Sequence, residues 1–218
     1  MKSIFKTLAL ALPFAIFNFA AIAADAPAAH QTPAKVAPSA DKVSATREVM
    51  RDLWADHIFW VRNVVMAASA KNAAVRKTAE DQVVANAKQI AGAIEPYYGK
   101  AASDQLFTLL AGHWGAIKAY LDATNASDQA GTSKALKDLN DNAGAIATFL
   151  SGANPNLPKD TVLSLYSTHG AHHVAQIQAV HNGQFDQEAV NWGVMRKHMN
   201  IISDALVSAI AKQFPEKF

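Results

Sequence analysis

From about residue 44 to the end of the chain, apolar residues return every three or four positions, and no stretch alternates apolar with polar over the length of a strand. This spacing puts one stripe of a helix against a core and leaves the rest to solvent. It predicts six helices, over 44–71, 73–95, 101–123, 132–150, 160–180 and 187–212. On the first, Leu53, His57, Val61, Val64 and Ala68 share a stripe, and on the third Leu106, Leu110, His113, Ile117 and Leu121 do. Pro96 stops the second helix, because proline lacks the N–H and its ring clashes with the preceding turn. SGANPNLPKD (151–160) and HNGQ (181–184) break the chain on either side of the fifth. The short connections make successive helices antiparallel neighbours. The expected fold is all-α, an up-and-down six-helix bundle.

The polar residues on these stripes carry a period of their own. His57, His113 and His169 are each 56 residues apart, each with a leucine four residues before it: Leu53, Leu109 and Leu165. Eight residues after them stand Val65, Leu121 and Ile177. The intervening helices follow the same period, with Asn86, Asn142 and His198 in line, then Ile90, Ile146 and Ile202. A fixed period of this kind marks a repeated supersecondary unit, here three αα-hairpins of 56 residues. In this register His173 takes the place of Val61 and Ile117 and should face inward. His172 takes the place of Trp60 and Ala116 on the flank, and His181 lies near a helix end and should be exposed.

The start of the chain reads differently. Lys2 and Lys6 precede an apolar run from Leu8 to Phe19, and Ala21-Ile22-Ala23 offers small residues for cleavage. Residues 1–23 are expected to be a signal peptide, 24–42 a flexible Ala/Pro-rich leader containing His30, and 43–218 the helical domain. The expected location is periplasmic or secreted, without stable membrane insertion once the signal is removed. The formal charge of the whole chain is +2, but loss of Lys2 and Lys6 leaves 18 basic against 18 acidic residues. A neutral chain offers no basic face to nucleic acid. The absence of cysteine excludes disulfides, thiolate metal sites and thiol chemistry, so an exported chain of this kind rests on its core alone. Nothing in the sequence sets the oligomeric state.

The functional lead is the inward histidines. His169 and His173 at i, i+4 can reach one ion, and His57, His113 and His198 stand at the same height on other helices. Neutral imidazole suits Zn, Cu, Ni or Fe, and bundle cores commonly house such ions. Asn86 and Asn142 would orient the imidazoles by hydrogen bonds from behind. Heme through one or two histidines stays open, without a C-x-x-C-H attachment motif. The competing expectation is an interaction or small-ligand-binding bundle whose His/Asn layer only sets helix register. An enzyme using one histidine as a general base is a third reading. No Glu-x-x-His occurs, which argues against a carboxylate-bridged di-iron centre, and Asp204 is the best-placed acid. Arg62 reads as solvent-facing or as a partner for Asp204, Met195 and Met199 as core filler, and Tyr97 and Tyr98 as a cap on the bundle.

LWADHIFWVR, IEPYYG, FLSGANP and the terminal IAKQFPEKF together resemble a bacterial family of small all-helical proteins of unknown function. The resemblance covers most of the chain after the leader. It implies a helical fold and no particular activity. It also implies acidic or histidine residues three positions after each asparagine, where this chain has Gln89, Ala145 and Ile201.

Overall fold

The computed structural model describes residues 37–218. The expected signal peptide, and the leader as far as residue 36 with His30, lie outside the described residues. Among the described residues there is no strand. The helices are α1 (Ala40–Ser69), α2 (Ala73–Gly92), α3 (Glu95–Tyr98), α4 (Lys100–Asn125), α5 (Gln129–Ala153), α6 (Lys159–His181) and α7 (Phe185–Gln213), with a closing 3-10 turn at Pro215–Lys217. The six long helices match the six predicted.

Two boundaries differ for local reasons. α1 begins inside the expected leader, because the Ser39 hydroxyl accepts a hydrogen bond from the Lys42 N–H and caps the first turn. Pro96 does not simply end α2. It stands in the first turn of the four-residue α3, where its missing N–H costs nothing and its fixed φ suits a helix start.

α1, α4 and α6 end in the same way. Lys71 (φ 53°), Ser127 (φ 55°) and Gly183 (φ 70°) adopt the left-handed conformation. The next N–H, of Asn72, Asp128 or Gln184, then reaches back to the carbonyl of Ala67, Ala123 or Ala179 at 2.9, 2.9 and 2.8 Å. This is the closing bond of a Schellman turn, and it satisfies carbonyls that the helix end leaves free. Asn72 and Asp128 also cap the following helix, accepting from Val75 N (3.1 Å) and Gly131 N (2.9 Å). A side chain at position 183 would meet nothing within 4 Å, so its cost is the backbone's alone. Gly183→Ala should therefore lower the unfolding free energy by about 1 kcal/mol, and Lys71→Gly should raise it by roughly 0.5–1 kcal/mol. Urea denaturation measures both.

The helices form an all-α bundle in which each long helix packs on the next in the order α1, α2, α4, α5, α6, α7, and α7 returns to α1. α6 also touches α4 and α1, which places it between the two other histidine-bearing helices. Buried apolar residues fall into two groups. One holds Met50, Trp54 and Ile58 of α1, Leu106 and Leu110 of α4, Val162 and Tyr166 of α6, and Met195 and Met199 of α7. The other holds Val61, Val64 and Val65 of α1, Trp114, Ile117 and Tyr120 of α4, and Ile177 and Val180 of α6. On each of α1, α4 and α6 the inward histidines stand where the chain passes from the first group to the second. Tyr97 and Tyr98 close one end of the bundle. Tyr97 stacks on Phe218 (ring centroids 5.3 Å apart), while the Tyr98 hydroxyl donates to Gln213 Oε1 and accepts from Asn154 Nδ2. No described helix is long and apolar enough to cross a membrane.

Candidate metal centre

Between the two apolar groups, α1 contributes His57, α4 contributes His113, and α6 contributes His169 and His173. All four are buried, His169 and His173 completely. One nitrogen from each of His57, His169 and His173 lies within 4.8 Å of the other two, and this group can hold a metal ion. His169 Nε2 and His173 Nε2 are 3.2 Å apart. Two nitrogens bound at ~2.0–2.1 Å to one tetrahedral ion stand about 3.4 Å apart, so the α6 pair already has the spacing of one edge of such a site. The third nitrogen, on His57, lies within 4.8 Å of the other two. The rings pack directly on one another, with centroids 4.5 Å apart for His169–His173, 5.5 Å for His57–His169 and 5.8 Å for His57–His173. Trp54 stands edge-on to both His57 and His169 and walls the group on one side.

Burial keeps these rings neutral. It pushes the His57 imidazole down to about 3, with His113 adding a smaller repulsion. It pushes His113 down to about 4, partly offset by the Asn142 side chain. His169 and His173 are held well below the ordinary histidine range, first by burial and then by the neighbouring imidazoles. Neutral imidazole is the ligating form. The rings also have unmet needs: His57 Nδ1 and Nε2, His113 Nε2, His169 Nδ1 and His173 Nδ1 are buried without a hydrogen-bond partner in the protein. Buried polar atoms in native proteins overwhelmingly have a partner. For these nitrogens it must come from a rotated neighbour, from water or from an ion.

The other expected ligands divide. His113 stacks on His169 (centroids 5.4 Å apart, 15° between planes) but is not one of the three converging residues. Asn142 donates to the Leu109 carbonyl at 2.9 Å, which turns its Oδ1 toward His113 Nδ1 at 3.1 Å. His113 must therefore donate from Nδ1, leaving a bare lone pair on Nε2. Here the expected orienting role of asparagine is present. Asn86 differs: it donates to the Leu53 carbonyl at 2.9 Å, but its Oδ1 reaches no imidazole and has no partner. His198 is not part of the cluster. Its Nε2 is committed to the Leu165 carbonyl at 2.9 Å and its ring lies against His172, so it does the work the asparagines do on α2 and α5. A nitrogen that donates to a carbonyl has no lone pair to offer a metal.

Several further expectations are corrected. Arg62 is partly exposed but does not meet Asp204; it forms a two-pronged pair with Glu188 at 2.6 and 2.7 Å and lies over the Trp192 ring. Asp204, the acid singled out from sequence, pairs with Arg51 and Arg47 away from the histidines. The buried carboxylate is Glu188, whose Oε1 also accepts from Gln176 Nε2 at 3.0 Å. Arg62, ahead of burial, holds its carboxyl below the usual range. Sequence reasoning missed Glu188 and Gln176. The available signal was that Gln176 falls where the 56-residue period places Val64 and Tyr120, a polar residue in an apolar column. Gln89, Ala145 and Ile201, the positions where the family resemblance implies ligands, all face solvent, so they are not part of the buried group. Met195 and Met199 are buried in the apolar core, as expected. No family model matches the chain, and neither the curated proteins nor the solved structures contain a match.

Proposed function

We propose that this is an exported helical-bundle protein that binds one transition metal ion, Zn, Cu, Ni or Fe, through His57, His169 and His173. The observation that carries the reading is the convergence of three buried, neutral imidazoles from two helices, with the α6 pair at a ligand-to-ligand spacing. Of the partnerless nitrogens in this layer such an ion would take one, on His57; the α6 pair would bind through Nε2, and the free Nδ1 atoms of His169 and His173 would need other partners. Three protein ligands leave a fourth position for water or a small ligand, the pattern of open rather than closed sites. Location in the periplasm or outside the cell rests on the N-terminal pattern of residues 1–23.

The scaffold reads as three copies of one αα-hairpin at the 56-residue period. Three hydrogen bonds support this: Asn86 to Leu53, Asn142 to Leu109 and His198 to Leu165, each across 33 residues and each 2.9 Å long. The left-handed turn residues at 71, 127 and 183 keep the same step. On this reading part of the polar layer is structural and fastens each hairpin. The third copy, with His198 in the fastening role and His173 in an apolar column, has been specialised for binding.

Protein purified without a His-tag should carry or take up about one equivalent of one of these metals, and His169→Ala should abolish uptake. The thermal midpoint should rise on adding the metal, following binding to the native state alone. Absence of metal, together with an unchanged midpoint in the presence of all four ions, would leave the structural reading in its place.

A further inference from the structure

Gln176 lies three residues after His173 on α6, so the two side chains share a face. Both are completely buried. His173 Nδ1 and Gln176 Oε1 are both buried without a hydrogen-bond partner in the protein, so a bond between them needs a small turn of one side chain. One can donate and the other can only accept.

The direction of the Gln176 amide is not free. Its NH2 end faces Glu188 Oε1 at 3.0 Å, and an ionised carboxylate accepts only, so the amide oxygen must point the other way. Glu188 is in turn held by the Arg62 guanidinium through two bonds at 2.6 and 2.7 Å. This chain of polar contacts runs from the half-exposed Arg62 on α1 through Glu188 on α7 to the buried face of α6.

We propose that Gln176 is the positioning residue of the metal centre: its Oε1 accepts from His173 Nδ1–H and thereby presents His173 Nε2, unprotonated, to the ion, with Glu188 and Arg62 fixing the sense of the amide. The proposal rests on the metal-binding reading given above. It assigns the tautomers on both sides of the 3.2 Å contact between the α6 histidines. With the His173 proton on Nδ1, His173 Nε2 is the acceptor, so in the metal-free protein His169 must carry its proton on Nε2 and donate it. An ion held by both Nε2 atoms would require His169 to carry its proton on Nδ1 instead. Neither Val64 nor Tyr120, at the corresponding places on α1 and α4, is an amide, so neither could give His57 or His113 the same support.

The test is two-dimensional nitrogen–proton NMR of the histidine rings in the metal-free protein, with metal affinity measured in parallel. In the wild type, His173 should show a protonated Nδ1 and a bare Nε2, and His169 the reverse. Gln176→Met keeps the length and removes both polar atoms. It should leave the helical spectrum intact, mix the two His173 tautomers, and weaken Zn2+ or Ni2+ binding by 10–100-fold. Glu188→Gln, which lets the Gln176 amide turn over, should do the same, while Glu188→Asp should restore part of the effect. A wild-type His173 protonated at Nε2, or a Gln176→Met protein with unchanged tautomer ratio and unchanged affinity, would overturn the assignment. The ring tautomers are read without metal, so a wild type that binds no ion defeats the metal reading alone, and the spectra still decide whether Gln176 sets His173.

Discussion

The metal-free protein should lose stability steeply between pH 7 and pH 5. His57 and His113 are pushed to about 3 and about 4 in the folded chain, and His169 and His173 are also well below their ordinary value of 6.5. The sign follows from which state takes up protons. Above 6.5 these rings are neutral in both states and contribute no pH dependence. Below 6.5 the unfolded chain binds protons that the folded chain refuses, so unfolding gains. The stability present at neutral pH is therefore lost as pH falls from 6.5 toward the folded values near 4 and 3. At pH 5 each ring that stays neutral costs about 2 kcal/mol, so His57 and His113 together cost about 4 kcal/mol, a sizeable part of the stability of a typical domain, and His169 and His173 act in the same direction. Carboxylates stay largely ionised in this window, so it isolates the histidines. Urea denaturation at half-unit pH steps with a chelator present measures it. A midpoint that stays level from pH 7 to pH 5 would show that the rings are not held neutral.

Removing the cluster should make the metal-free protein more stable. The triple variant His57→Leu, His169→Leu, His173→Leu replaces three buried nitrogens that have no protein partner, His57 Nδ1 and Nε2 and His169 Nδ1, together with His173 Nδ1, whose proposed partner is Gln176, by apolar side chains of similar size. A buried polar atom without a partner costs roughly 1–3 kcal/mol, whereas imperfect repacking around a swapped side chain costs about 1–3 kcal/mol in total. On these figures the balance favours the variant at pH 7. Much of the acid sensitivity described above should disappear with it, leaving His113 as the remaining contributor. The same variant should bind no metal and show no rise in thermal midpoint when metal is added. A less stable variant at pH 7 would mean that water or rotated neighbours already satisfy these rings. The expected pattern, in which stability is given up at a cluster kept for binding, is the usual relation between a functional site and its scaffold.

Fixing where stability is given up also explains why Trp54 is where it is. Its ring is 99% covered and meets His57, His169 and Tyr166 edge-on, so it shields one side of the imidazoles from water. A low local dielectric follows from that shielding, and it is what depresses proton affinity at the rings.

The sequence alone determined the helical class, the six long helices and the inward stripes, because helical periodicity is a local property of side-chain spacing. Leu106, Leu110, His113, Ile117 and Leu121 were placed inward from spacing, and all five are buried. The 56-residue spacing likewise singled out His57, His113 and His169, and all three are buried. The tertiary structure decided which nitrogens converge. His198 shares its column with asparagines and was indistinguishable in sequence from a ligand; only the carbonyl of Leu165 at 2.9 Å shows that its nitrogen is spent. Glu188 and Gln176 belong to no local pattern that marks them, since their pairing joins α7 to α6 and then reaches Arg62 on α1. Periodicity specifies which face of a helix is buried, but the turn of a ring and the choice of a partner depend on side chains that meet only once the helices have packed.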